Sequence, residues 1–182
     1  MSTSDAAAVR GLMSAAGQGH IEVLKKCDAK HLKTVKDPDG KTPLHSASSE
    51  GQLETARYLL SVGVDINASD KDGWTSLHCA ASRGHFAVCE LLIGKGAEVR
   101  SLTNQGTTVL HYAVRTNLND AFLFMTVLQL LIEKKADIDA QNQYGETPLH
   151  QACFRGNDIA AVWLLAHQAD LHHADRCDSP LC

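Results

Sequence analysis

Histidine and cysteine are the residue types in this chain that could hold a metal ion, and the sequence contains ten histidines and six cysteines. Imidazole and thiolate groups bind Zn²⁺ tetrahedrally when four of them lie close together. The densest group stands near the end of the chain and comprises His172, His173, Cys177 and Cys182. These four side chains could form a zinc site only if the helices and loops that carry them bring them close together.

Nucleophilic catalysis would need a serine or cysteine beside a general base, with an oxyanion hole on a strained turn or a glycine-rich loop. The sequence contains no such motif and no glycine-rich phosphate loop. It also has no carboxylate pair for acid–base work outside the repeated positions described next. These observations predict that the chain is not an enzyme.

One four-residue block recurs four times along the sequence. Its copies are Thr42-Pro43-Leu44-His45, Thr75-Ser76-Leu77-His78, Thr108-Val109-Leu110-His111 and Thr147-Pro148-Leu149-His150. Successive leucines of the block are 33, 33 and 39 residues apart. A nearly constant period of this length indicates an array of small stacked units.

Each block has the chemistry of a helix start. A threonine hydroxyl can accept from the first backbone N–H groups of a helix, proline costs nothing at the next position, and the leucine then points inward. Glycines interrupt the pattern at Gly51, Gly84 and Gly156, and apolar helical spacing then resumes over residues 53–60, 86–93 and 159–165. The sequence thus predicts stacked helical hairpins, separated by polar turns at residues 37–40, 70–73 and 142–145.

Together with the apolar triplets that follow them and the segment Gly63-Val64-Asp65-Ile66-Asn67, these blocks resemble the ankyrin repeat over nearly the whole chain. The resemblance implies an all-α solenoid of about five helix-turn-helix units with short β-hairpin fingers. It implies one domain over residues 1–182, with a degenerate first repeat at 5–36 and further repeats at 37–69, 70–102, 103–141 and 142–174. Residues 175–182 read as the start of a truncated sixth repeat, so we expect a longer natural protein.

The resemblance also accounts for most of the candidate metal ligands. The histidine of each block is a structural residue of the repeat, and His20 and His85 follow the inter-helix glycine as the family pattern requires. Cys177 and Cys182 would straddle a helix start, with Cys182 in the place of the block histidine. We therefore expect no metal and no other cofactor.

Partners of the resembling family bind on a concave face formed by the fingers and by the exposed side of each first helix. Transferring those positions residue by residue gives a partner-binding strip of Lys71, Asp72, Trp74, Arg83, Gln105, Arg115, Gln143, Tyr144, Phe154 and Arg155. Aromatic residues and arginine are the types that dominate interface hot spots. The alternative is that Trp74 packs on the neighbouring finger and that the arginines are solvated.

The fourth repeat is six residues longer than the others, with the surplus inside residues 118–124. Phe122 and Phe124 make this insertion unusually apolar. They either fold back on adjacent repeats or form a second hydrophobic contact for a partner. The resemblance also implies a possible hydroxylation of one asparagine of the repeat, and the matching residue in this chain is Asn67.

Charge and hydropathy favour neither nucleic acid nor a membrane as the partner. The formal net charge is −4, and no apolar stretch reaches the roughly 18 residues of a membrane span. The start of the chain lacks the pattern of a secretory signal, and the cysteines lack a secreted framework, so reduced thiols are expected. We expect a monomer in the cytoplasm, with the nucleus as the alternative compartment.

The sequence predicts a protein–protein interaction module that binds another protein or a peptide segment, as the N-terminal part of a larger signalling or scaffold protein. One alternative is the targeting or autoinhibitory arm of an enzyme, such as a kinase or GTPase regulator, whose catalytic domain lies beyond residue 182. Another is a structural element whose repeats stack end to end without an external ligand.

Overall fold

Eleven α-helices lie in residues 3–115 and 121–171, which are the residues that this computed structural model describes. In chain order they are α1 (Thr3–Gly17), α2 (Ile21–Lys25), α3 (Ala29–Thr34), α4 (Pro43–Ser49), α5 (Leu53–Val62), α6 (Ser76–Ser82), α7 (Phe86–Gly94), α8 (Val109–Ala113), α9 (Ala121–Glu133), α10 (Pro148–Phe154) and α11 (Asp158–Ala166). They belong to two compact units, unit 1 (Met1–Glu98) and unit 2 (Val99–Cys182).

The four repeated threonines start α4, α6, α8 and α10, which confirms the predicted helix starts. In every block, Nδ1 of the histidine accepts from the threonine backbone N–H at 3.1 to 3.3 Å. Since Nδ1 accepts, the ring proton resides on Nε2. The Nε2 of His45 donates to the Trp74 carbonyl at 3.0 Å, and that of His111 donates to the Glu146 carbonyl at 2.9 Å. Each of these two histidines therefore caps its own helix and holds the finger of the next repeat.

Unit 1 consists of three helical hairpins and one extra helix. The pairs α1/α2, α4/α5 and α6/α7 pack in order, and their contacts bury leucines such as Leu24, Leu44, Leu59, Leu77 and Leu92. The extra helix α3 was not predicted. Its first turn is capped by Asp28, whose carboxylate accepts from the Lys30 backbone N–H at 3.2 Å, and Leu32 anchors it in the core.

Unit 2 contains the hairpins α8/α9 and α10/α11. Helix α9 has 13 residues, whereas the corresponding α5 and α7 have 10 and 9, so part of the six-residue surplus lengthens this helix. Asn157 joins the two hairpins, because its Nδ2 donates to the Val114 carbonyl at 2.9 Å while its Oδ1 caps α11 at the Ala160 N–H. Leu128 and Leu131 of α9 and Leu164 of α11 are fully buried in unit 2.

The fingers are tight turns held by their first side chain. In the third repeat, Asp70 Oδ1 accepts from the backbone N–H groups of Asp72 and Trp74, both at 2.9 Å. Asp37 and Asn142 do the same in their own fingers. Among the described residues, β-structure is limited to isolated bridges, at Ser69–Thr75 and Leu102–Thr108, so the predicted β-hairpins are present only as turns with single bridging pairs.

Neighbouring fingers inside each unit touch through their backbones. The Lys71 N–H donates to the Asp39 carbonyl at 2.9 Å in unit 1, and the Gln143 N–H donates to the Gln105 carbonyl at 2.9 Å in unit 2. Gly40 has a φ of +85°, and a Cβ there would lie 3.3 Å from Asp70 Cα. A glycine is needed at this point for both its left-handed conformation and its lack of a side chain.

Candidate functional site

A groove runs along unit 1 between its fingers and its first helices. It comprises two adjoining cavities of about 450 and 320 Å³ that share Lys41, Ser49 and Cys79. We call it the unit 1 groove and define it by its lining residues: Met13, Ser14, Gly17, Gln18, Lys41, His45, Ser46, Ser49, Glu50, Asp70, Asp72, Trp74, Cys79, Ser82 and Arg83.

Three of the predicted partner-binding residues meet in this groove. Asp72 and Trp74 line it from the third-repeat finger, and Arg83 lines it from the end of α6. Lys71 stands on the same finger and is exposed, but it is not part of the groove lining. The groove wall therefore combines an indole ring with charges of both signs.

Trp74 is held more firmly than a residue at a finger tip would be. Its side chain is half-buried, its ring centroid lies 6.2 Å from that of His78, and its carbonyl accepts from His45 Nε2. The indole therefore packs beside His78 and lines the groove from there.

The groove floor is chemically quiet. It is made of serine side chains and of Cys79, which is 8% exposed. Burial raises the pKa of the Cys79 thiol to about 12, so the group is a neutral thiol near pH 7. Cys79 therefore offers the groove no thiolate nucleophile near pH 7.

Sequence reasoning missed the part of the groove that the first and second repeats contribute. Met13 comes from α1, Lys41 from the second-repeat finger, and Ser46, Ser49 and Glu50 from α4 and its C-terminal end. The register of the repeat could have found two of them, since Ser49 and Glu50 occupy the positions that Ser82 and Arg83 hold one repeat later.

In unit 2, aromatic residues at the predicted positions are exposed. Tyr144 is 52% exposed on its finger, and Phe154 is 83% exposed at the end of α10. The Arg155 guanidinium lies 5.9 Å from the centroid of the Phe154 ring. Phe154 occupies the register position of Ser49 and Ser82, which line the unit 1 groove.

The other predicted residues of unit 2 make contacts with their own unit. The Arg115 guanidinium lies 5.6 Å from the centroid of the buried Tyr112 ring, and Arg115 itself is half-buried. Gln105 and Gln143 are exposed, and their backbones join the two fingers of unit 2. That all ten predicted residues form one strip stays a prediction.

The insertion of the fourth repeat presents one phenylalanine to the core. Phe124 is 3% exposed, so it is packed inside unit 2 and cannot act as a surface contact. The side chain of Phe122 lies outside the described part of the structure. Of the two predicted alternatives, Phe124 therefore follows the first and folds back into the core.

Asn67 is exposed, and its Oδ1 accepts from the Glu98 backbone N–H at 2.9 Å. Hydroxylation at this residue stays a prediction. Within residues 3–115 and 121–171, no three histidine, cysteine or acidic side chains lie close enough together to hold a metal ion. The group His172, His173, Cys177 and Cys182 lies outside the described residues.

Cys27, Cys79 and Cys89 are free thiols, as expected, whereas Cys153 is disulfide-bonded and departs from that expectation. In the described part of the chain, none of the helices combines the length and the apolar character that crossing a membrane requires.

Two family models match the chain. One, described as ankyrin repeats (many copies), matches residues 44–93, and the other, described as ankyrin repeats (3 copies), matches residues 97–175. No curated protein gives a significant match. The matched ranges include α6, α8 and α10 in full and α4 from Leu44 onward. The chain therefore belongs to the ankyrin-repeat family.

Proposed function

We propose that this chain binds another protein through the unit 1 groove and through the exposed aromatic residues of unit 2. Ankyrin repeats are generally non-catalytic protein–protein interaction modules. The observation that carries the proposal is the unit 1 groove itself, where Trp74, Asp72 and Arg83 converge. Its occupant is an extended segment of a partner protein.

The groove is suited to binding because its walls are already ordered. Asp70 fixes the finger through two hydrogen bonds, and the Lys71 N–H ties it to the preceding finger. A rigid surface loses little conformational entropy when a partner binds, so more of the interaction energy appears as affinity. Lys41 and Arg83 are placed to pair with partner carboxylates, while Trp74 offers apolar area.

Unit 2 carries two exposed apolar anchors of its own. Phe154 and Tyr144 expose large ring areas that the fold of their own repeat leaves uncovered. Arg155 above the Phe154 ring provides a cation beside an apolar contact, as in many interface hot spots. We propose that the chain recruits its partner in a signalling or scaffold role; serving as the targeting arm of an enzyme would use the same surface.

Site-specific photo-crosslinking tests the surface before the partner is known. A photo-reactive amino acid at Ser82, in the groove, should capture one partner protein from cells, and the same protein should be captured from Ser49. The matched control is Arg57, which is exposed on α5 and does not line the groove.

The captured protein is then purified and its affinity is measured by calorimetry. Replacing Trp74 by phenylalanine and Arg83 by glutamate should lower the affinity at least tenfold, whereas Arg57→Glu should leave it unchanged. Capture of the same protein from Arg57 as from Ser82, or an unchanged affinity in the groove variant, would show that the partner binds elsewhere.

A further inference from the structure

One loop position in the repeat acts as a hydrogen-bond acceptor for the following repeat. In unit 1, Asn67 Oδ1 accepts from the Glu98 backbone N–H at 2.9 Å. In unit 2, Asp139 Oδ1 accepts from the Asp170 backbone N–H, also at 2.9 Å. In both cases 31 residues separate the partners, so a side-chain oxygen of one repeat holds the loop of the next.

Arg100 occupies this position in the intervening repeat. It follows Asn67 by 33 residues and precedes Asp139 by 39, which are the spacings of the repeat itself. The backbone N–H in register with those of Glu98 and Asp170 belongs to Asp137. A guanidinium carries five donors and no acceptor, so Arg100 cannot complete the bond. Within the described residues, the Asp137 N–H has no hydrogen-bond partner.

A cavity of about 270 Å³ opens at this point in unit 2. Its polar lining comes from Arg100, Asp137, Thr108 and Gln141, and its apolar lining comes from Val99, Leu102, Ala136 and Ala140. Leu102 is 55% exposed, which leaves a large apolar side chain open to solvent. Arg100 forms no ion pair with any described residue. The site thus offers two unused donor groups beside apolar surface.

We propose that this cavity binds a carboxylate carried on a short aliphatic chain. One carboxylate oxygen takes the place that the Asn67 and Asp139 oxygens fill in their own repeats and accepts from the Asp137 N–H. The second oxygen accepts from the Arg100 guanidinium, which matches carboxylate geometry well. The aliphatic part of the ligand lies against Val99 and Leu102.

Among the residues that line the cavity, Asp137 carries the acidic side chain that opposes such a ligand. Its Oδ1 accepts from the Asp139 N–H at 3.1 Å, which turns part of its charge toward the backbone, and the residue is exposed, so water screens the remainder. The small volume favours a group no larger than an acidic side chain or a short-chain carboxylic acid.

Amide NMR of the whole chain tests the proposal with butyrate as the probe. Butyrate should shift the Asp137 N–H signal saturably, whereas butyramide, which has the same shape and no charge, should leave it in place. Arg100→Met should abolish the butyrate shift. The matched control Arg155→Met removes an exposed arginine elsewhere in unit 2 and should keep it.

Arg100→Asn provides a second, independent readout. The asparagine oxygen should accept from the Asp137 N–H, so hydrogen exchange at that amide should slow and the response to butyrate should disappear together. A butyrate shift that persists in Arg100→Met, or an equal shift with butyramide, overturns the carboxylate site. Unchanged exchange in Arg100→Asn overturns the missing-acceptor argument.

A second ligand, N-acetylglutamate α-amide, distinguishes protein side chains from free carboxylic acids as the source of the carboxylate. Its only anionic group is a side-chain carboxylate. A response to both compounds assigns the cavity to acidic side chains of proteins. A response to butyrate alone assigns it to free carboxylic acids. None of the cavity residues belongs to the proposed protein-binding surface, so the two proposals succeed or fail separately.

Discussion

At the scale of single residues, two of the repeated histidines, His45 and His111, are held in the neutral state. His45 accepts the Thr42 N–H at Nδ1 and donates to Trp74 from Nε2, and His111 makes the equivalent pair of bonds with Thr108 and Glu146. A proton added at Nδ1 would face a backbone N–H, and the buried ring would carry a charge. Burial lowers the pKa of His45 and His111, outweighing the carbonyl bonds that raise it.

Because the folded chain resists protonation of these two histidines, we expect the protein to become less stable in acid. Below a pH of about 6.5 the unfolded chain takes up protons at these two positions while the folded chain resists them, so the free energy of unfolding should fall as the pH drops from 6.5 toward the lowered folded pKa. Above 6.5 both states are neutral and the contribution is complete. Urea unfolding at pH 7.5, 6 and 5 measures the effect.

The double variant His45→Gln/His111→Gln should be less stable at pH 7.5 but should lose less on acidification. An equal loss of stability between pH 7.5 and 5 in the double variant and the natural chain would refute the assignment.

Trp74 shows how a single residue can serve both fold and binding. Because its ring is half-buried beside His78, Trp74→Ala should lower the free energy of unfolding by about 1 to 3 kcal/mol, less than for a fully buried aromatic. Tyr144→Ala is the natural control, since Tyr144 is 52% exposed and should cost no more than about 0.5 kcal/mol. Equal losses in urea unfolding would mean that Trp74 is not packed.

At the scale of elements, the spacing between fingers depends on a residue without a side chain. Gly40→Ala combines a φ of +85° with a Cβ placed 3.3 Å from Asp70 Cα and 3.3 Å from the Lys71 nitrogen, both backbone atoms that cannot move independently. Gly96→Ala in the same unit has a φ of +91° and no atom within 4 Å of the added Cβ. The pair separates conformational strain from crowding.

We expect Gly96→Ala to destabilise unit 1 by about 1 to 2 kcal/mol, the cost of a left-handed alanine. Gly40→Ala should cost clearly more, because the fingers must also move apart and weaken the bond from Lys71 to Asp39. Urea unfolding at pH 7 compares the two. Similar losses would show that the fingers can separate freely and that the groove wall is not fixed by their contact.

At the scale of the whole molecule, the sequence predicts those features that carry their own local mechanism. The threonine-started helices were foreseeable because capping chemistry and period coincide at Thr42, Thr75, Thr108 and Thr147. Helix α3 was not, because its cap is a lone Asp28 in a lysine-rich stretch with only Leu32 buried. Short helices of this kind are stabilised by tertiary packing, which local patterns do not show.

The lining of the unit 1 groove was predictable to the same degree and for the same reason. Register predicted that Asp72, Trp74 and Arg83 lie on one face, whereas Met13 was missed because the exposed positions of the family were not transferred to the degenerate first repeat. The burial of Phe124 and the cavity beside Arg100 depend on what neighbouring repeats leave open. Such features arise from packing between elements and have no signature in one repeat alone.

The last prediction concerns how stability is distributed, and the two tryptophans make it measurable. Trp74 lies in unit 1 and Trp163 in unit 2, so single-tryptophan variants with phenylalanine at the other position report on each unit. In repeat proteins, stability is approximately a sum of local and nearest-neighbour terms. A cavity should therefore weaken its own unit first.

Leu164→Ala in unit 2 and Leu59→Ala in unit 1 each empty a fully buried site and should cost about 2 to 5 kcal/mol. Leu164→Ala should lower the urea midpoint seen by Trp163 more than the midpoint seen by Trp74, and Leu59→Ala should do the reverse. The stacking of His167 on Trp163, with ring centroids 3.7 Å apart, should make the emission of that residue change strongly on unfolding. If either substitution lowered both midpoints equally, stability would be shared by the whole chain, and a partner bound to one unit would stabilise both.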